Sequence, residues 1–100
     1  MIRHIVMWKF KDHAEGCTKE ENIAKVKAML EALPEKIPYI RKMEVMKNVN
    51  PKETNFDAVL ISEFDCLEDV ASYTVHPDHK AISNFVKLVR EDRSAVDYEI

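Results

Sequence analysis

SYTVHPDHKAI, residues 72–82, sets two histidines three residues apart around a proline, with a tyrosine six residues before the second histidine. The residue before a proline is pushed out of helical conformation, so a helix that enters this stretch ends or bends near His76. Pro77 then fits the first turn of a new helix, where its missing N–H is no loss. Upstream, Asp65 reads as an N-cap, and Leu67, Val70, Ala71 and Thr74 follow at helical spacing. Downstream, Ile82, Phe85, Val86 and Val89 form the apolar stripe of the next helix. The stretch is therefore one helical segment broken at Pro77, with His76 as the N-cap of its second half.

Around this break the remaining elements fall into order. Arg3–Lys11 (RHIVMWKFK) is short and rich in β-branched and aromatic residues, so it reads as a strand. Its alternation puts His4, Val6, Trp8 and Phe10 on one face and Ile5, Met7, Lys9 and Lys11 on the other. Thr18 and Glu21 form a capping box. The helix behind it carries Ile23, Val26, Leu30 and Leu33, and Pro34 and Pro38 stop it. Tyr39–Val49 reads as a second strand, with an imperfect alternation that fits a bulge. Residues 48–55 (NVNPKETN) are turn chemistry, Phe56–Phe64 a third strand and Ser94–Ile100 a fourth. The order β-α-β-β-α-β predicts an α+β, ferredoxin-like antiparallel sheet with helices on one face.

A chain of 100 residues with 46% hydrophobic and 33% charged residues is expected to form one globular domain, residues 1–100. Its formal charge of −3, with basic residues dispersed, leaves no electrostatic footprint for nucleic acid. The single glycine, Gly16, excludes a glycine-rich phosphate loop. Cys17 and Cys66 match no zinc or redox spacing and read as free thiols. With no signal peptide and no stretch of transmembrane length, a soluble cytoplasmic protein is the expectation, away from membranes. The first strand is apolar on both faces, so the side of the sheet without helices needs a cover. A second sheet from an identical chain would supply it, which predicts a homodimeric α/β barrel.

His79 falls near the start of the last helix, and Ile82, Val86 and Val89 follow it at offsets of three, seven and ten. It therefore lies on the apolar stripe, toward the sheet, whereas Lys80, Lys87 and Arg90 are expected to point elsewhere. Two readings stand for such a histidine: a core imidazole satisfied by a neighbouring group, or a general acid or base in a pocket. Three features favour the second. A helix N-terminus disfavours the positive imidazole and so keeps a base available. The Tyr73 hydroxyl is placed to polarise a carbonyl oxygen, the plainer alternative being a hydroxyl that reaches water. His4 opens the helix-side face of the first strand beside Val6 and Trp8. Asp97 is either a solvated edge aspartate or the group that holds the second nitrogen of His79, and both remain open. The expected pocket wall is Val6, Trp8, Ile23, Val26, Val59, Ile82, Phe85 and Val86. His76, Asp78 and His79 offer an ion two or three ligands, but the proline gives the histidines different roles and no further ligand is evident, so no metal is expected.

The opening strand from His4 to Lys11 (HIVMWKFK), the YxxHPxH element from Tyr73 to His79 and the closing Asp97-Tyr98 pair together resemble the stress-responsive dimeric α/β-barrel family. The resemblance spans nearly the whole chain, and YxxHPxH is its most specific part. It implies a ferredoxin-like homodimer with a pocket between helices and sheet. A plant polyketide cyclase of that family carries out an aldol condensation with a histidine base and a tyrosine. By motif match, His79 takes the place of the base, Tyr73 of the tyrosine, His4 of the strand histidine and Asp97 of a supporting aspartate. The walls depart from that cyclase: Asn22, Ile23 and Val26 stand where it has aromatic residues, and Trp8 and Ile82 differ in size. A long alkyl polyketide is therefore not implied.

The expected function is acid–base chemistry, cyclase-like or lyase-like, by His79 and Tyr73 on a small molecule, with Asp97 or His4 as orienter and with neither metal nor organic cofactor. It requires the four side chains to converge on one cavity. The alternatives are a non-catalytic dimeric binder of small apolar or aromatic ligands, and a structural stress protein with a solid interior. Antibiotic-biosynthesis-type monooxygenases share the β-α-β-β-α-β plan, but YxxHPxH points away from them.

Overall fold

Strict alternation along β1 (Ile2–Phe10) organises the molecule: His4, Val6, Trp8 and Phe10 are buried under the helices, whereas Ile5 and Met7 face the other way. The computed structural model describes residues 1–100. β1 pairs antiparallel with β5 (Ala58–Phe64) on one side and with β6 (Arg90–Glu99) on the other, and β4 (Lys42–Lys47) adds to β5. The strand order β4-β5-β1-β6 is that of a ferredoxin-like α+β fold. All helices lie on one face, and a core of 19 buried apolar residues fills the space between the layers.

Local chemistry explains where the helices begin and end. The Thr18 N–H donates to Glu21 Oε1 at 2.9 Å and the Glu21 N–H to Thr18 Oγ1 at 3.3 Å, a complete capping box for α1 (Lys19–Glu31). Caps of this kind contribute about 1 kcal/mol. α1 buries Ile23, Val26 and Leu30, and Pro34 converts the chain to a short 3₁₀ turn, Leu33–Glu35. α2 (Leu67–Val75) and α3 (Pro77–Val89) meet at His76, whose ψ of 134° is extended, as a residue before proline requires. The Asp78 N–H donates to His76 Nδ1 at 3.1 Å, so His76 caps α3 with its own ring.

Three local expectations are corrected. The N-cap of α2 is Cys66 rather than Asp65, whose carboxylate is held by the Arg41 guanidinium at 2.8 Å. β4 begins at Lys42 rather than Tyr39, because the chain turns at Ile40, whose N–H donates to the Ile37 carbonyl. β6 begins at Arg90, directly after α3, rather than at Ser94. The structure also holds a two-residue ribbon that the sequence pattern does not announce. Here β2 (His13–Ala14) pairs with β3 (Cys17–Thr18) around Glu15 and Gly16, whose φ values of 52° and 76° suit a tight hairpin.

The face of the sheet away from the helices carries an uncovered apolar patch among charged side chains such as Arg3, Glu44 and Glu63. Register places Val96 beside Ile5, with Ile61 on the opposite side, and Met7 beside Val59. Met7, Met46, Val96 and Tyr98 are each more than a third exposed there. No helix of the fold is long and apolar enough to cross a membrane.

Candidate acid–base site

A cavity of about 270 Å³ opens between the sheet and the helices. His4, Val6 and Trp8 of β1 and Leu60 of β5 form its floor. Leu30 of α1, Tyr73 and Thr74 of α2, and His79, Ile82, Ser83 and Val86 of α3 close over it. Half of its lining is apolar, so polar groups inside it act in a poorly solvated space.

His79 reaches the cavity because the break at Pro77 restarts the helix in a new direction. The break also leaves a backbone acceptor free. Pro77 has no N–H, and the Asp78 N–H is taken by His76, so neither reaches the Thr74 carbonyl. His79 Nδ1–H donates to that carbonyl at 3.2 Å. This bond fixes the tautomer and leaves Nε2 with its lone pair. Burial holds the His79 pKa below the usual 6.5, the Thr74 bond opposes the shift, and His4, Arg93 and His76 push it further down. The imidazole is neutral at pH 7.

Tyr73 is fully buried at the end of α2, with its ring centroid 4.2 Å from that of His79, 5.2 Å from Phe64 and 6.2 Å from His4. Its hydroxyl has no hydrogen-bond partner in the protein. Burial drives the phenol pKa far above its ordinary value, with Arg93 pulling weakly the other way, so the group is an O–H donor at every physiological pH.

His4 and Asp97 pair through Nδ1 and Oδ1. They are direct neighbours in the β1–β6 register, and Ser62 Oγ donates to the His4 carbonyl at 3.0 Å from the other side. Asp97 therefore orients His4 and not His79, which corrects one of the two options left open for it. His4, Tyr73 and His79 share the cavity, while Asp97 stands behind His4. His76 and His79 each commit Nδ1 to a different backbone group.

The wall differs from expectation at four positions. Val59 lies on the opposite face of the sheet, because the residues of β5 that face the helices are Ala58, Leu60, Ser62 and Phe64. Leu60 takes its place. Ile23 and Val26 are buried in the core but do not reach the cavity, where α1 contributes Leu30. Phe85 packs against the core beside it. Lys87 and Arg90, expected to point elsewhere, line the cavity together with Arg93. Two signals locate them. Ser83, Val86, Lys87 and Arg90 continue the helical stripe that begins at His79, and the alternation of β6, carried back from Asp97 through Ala95, reaches Arg93.

A buried hydroxyl without a partner costs roughly 1–3 kcal/mol. Tyr73→Phe keeps the ring packing and removes that cost. The variant is expected to be more stable than the wild type by about 1 kcal/mol in urea denaturation. A variant destabilised by a similar amount would mean that the hydroxyl is satisfied in solution.

The family model for the stress responsive A/B barrel domain matches residues 2–100. A stress-response A/B barrel domain-containing protein of Arabidopsis thaliana is 31% identical over 98% of this chain, which spans 36% of the length of that relative. Olivetolic acid cyclase of Cannabis sativa is 26% identical over 97% of this chain and 94% of its own. A dimeric protein of ferredoxin-like fold from Bacteroides fragilis is 40% identical and superposes with a TM-score of 0.85, covering 99% of this chain and 95% of that one.

Proposed function

The chain belongs to the stress responsive A/B barrel family, and we propose that it is a homodimeric small-molecule protein in which His79 abstracts a proton next to a carbonyl group. One observation carries the proposal. A buried, unpartnered Tyr73 hydroxyl shares a cavity with an imidazole whose tautomer is already fixed, the two rings being 4.2 Å apart. A donor with no partner and a base with a free lone pair, both in a cavity half lined by apolar side chains, suit a substrate that supplies an acceptor and a proton.

In this mechanism the carbonyl oxygen of the substrate accepts the Tyr73 O–H. His79 Nε2 takes the proton from the adjacent carbon, and the electron pair moves into the carbonyl to give an enolate whose oxygen is held by Tyr73. The enolate carbon then attacks a second carbonyl of the same molecule, and the imidazolium returns the proton to the new alkoxide. Burial and the nearby Arg93 make the imidazolium costly, which favours the return. The Asp97 carboxylate holds His4 in place on the cavity floor, beneath the substrate. The likeness to a cyclase supports a bond-forming reaction of this kind.

Deuterium uptake from solvent by a panel of small ketones, followed by NMR, tests the proton transfer without knowledge of the natural substrate. The wild type is expected to accelerate exchange, and the rate to fall only as pH drops through the His79 pKa, which lies below 6.5. His79→Ala is expected to lose about a hundredfold, and Tyr73→Phe about tenfold or more. Ketones that bind equally to both forms and exchange with neither would make the protein a non-catalytic binder.

The uncovered sheet face of Ile5, Met7, Ile61 and Val96 supports the dimer, as does the dimeric Bacteroides fragilis protein. Light scattering is expected to give twice the 11.7 kDa chain mass, and Ile61→Arg to give the monomer. A monomeric wild type at micromolar concentration would refute the dimer.

A further inference from the structure

Every formally charged side chain that lines the cavity, the histidines aside, is a cation. Lys87 stands near the end of α3, Arg90 at the junction with β6 and Arg93 on β6, and no aspartate or glutamate joins them. The chain as a whole is acidic, at −3, so this grouping runs against the average. The three cations are also uncompensated. None of Lys87, Arg90 and Arg93 has a carboxylate within ion-pair distance. From Arg93 toward the end of β6 the next acid on this face, Asp97, is committed to His4.

Their placement is built into the fold. Arg93 is the register partner of Trp8, so it sits on the helix-covered side of the edge strand. Its charge is felt at both Tyr73 and His79, the two groups at the reacting end. Away from the cations the lining includes Val6, Trp8, Leu30 and Leu60, and the buried Tyr73 hydroxyl has no partner in the protein. The site thus combines a cationic rim, apolar walls and a buried neutral donor.

We infer that the ligand of this cavity is a small carbonyl compound bearing a carboxylate, with the carboxylate held by Arg90, Arg93 and Lys87 and the carbonyl directed to Tyr73. This rests on the reading of the cavity as a small-molecule site and extends it from a reacting group to a substrate class. Arginine pairs with carboxylate through two parallel hydrogen bonds, which fixes orientation as well as position. An acid anchored at the mouth would present its other end to His79, an orienting contact that a neutral ketone of the same size lacks.

The test compares phenylacetate with phenylacetamide, which share size and shape and differ in charge. Each is titrated into the folded protein and followed by chemical shifts of the backbone amides. Phenylacetate is expected to bind about tenfold more tightly or better, with the preference shrinking as salt is raised. The double variant Arg90→Gln/Arg93→Gln is expected to lose most of that preference and to bind phenylacetamide as the wild type does. Equal affinity for the two probes in the wild type, a preference intact in the double variant, or no binding of either at millimolar concentration would each overturn the inference. His79→Ala should keep the preference, which separates this inference from the proton-transfer chemistry. A lost preference with ketone exchange intact defeats the carboxylate site alone, and a preference without exchange upholds it while defeating the base.

Discussion

The peptide unit at His76–Pro77 is the constraint from which the site follows. A continuous helix from Leu67 to Val89 would satisfy the Thr74 carbonyl internally and carry His79 away on a straight axis. Proline forbids this twice, by lacking an N–H and by forcing His76 into an extended conformation. Two backbone groups are orphaned as a result, and two histidine rings meet them. His76 accepts the Asp78 N–H, and His79 donates to the Thr74 carbonyl. The same break that turns the chain back over the sheet therefore sets the tautomer of the candidate base. Tyr73 ends up one turn before the break, in contact with that base.

Burial then sets the protonation states. It lowers the proton affinity of His79 and raises that of Tyr73, since in each case the charged form is the one that water would have stabilised. The outcome at neutral pH is an uncharged base beside an uncharged donor. Neither state favours folding: an unsatisfied phenol costs stability, and so does an imidazole that resists its proton below the usual pKa. A site that holds both sacrifices stability to keep reactive groups unspent, which is common where chemistry needs groups that water or protein would otherwise occupy. The cationic mouth fits the same pattern, because three positive side chains without counter-charges repel one another in the absence of a ligand.

Much of this is legible in the sequence, for local reasons. The capping box at Thr18, the alternation of His4, Val6, Trp8 and Phe10, and the proline break each depend on residues within a few positions of one another. His79 and Tyr73 are visible because motif and helical phase agree. What escapes depends on long-range pairing. Asp97 meets His4 only through the β1–β6 register, which no local pattern fixes. Val59 and Leu60 exchange faces with a shift of one residue, and the mixed apolar run from Phe56 to Phe64 does not show which phase wins. Arg93 escapes because alternation begins only at Ser94, and the polar run Arg90–Arg93 carries no strand signal of its own. It is a strand because β1 offers it an edge to pair with.

His79 acts here as a neutral base whose Nδ1 proton is held by the backbone. The most direct test is an NMR titration of the His79 ring with ¹⁵N detection, which reports pKa and tautomer together. The expected result is a pKa below 6.5, with the neutral form carrying its proton on Nδ1 and its lone pair on Nε2. A pKa at or above 6.5, or a neutral form protonated on Nε2, would contradict it and leave His79 an ordinary histidine at the start of a helix.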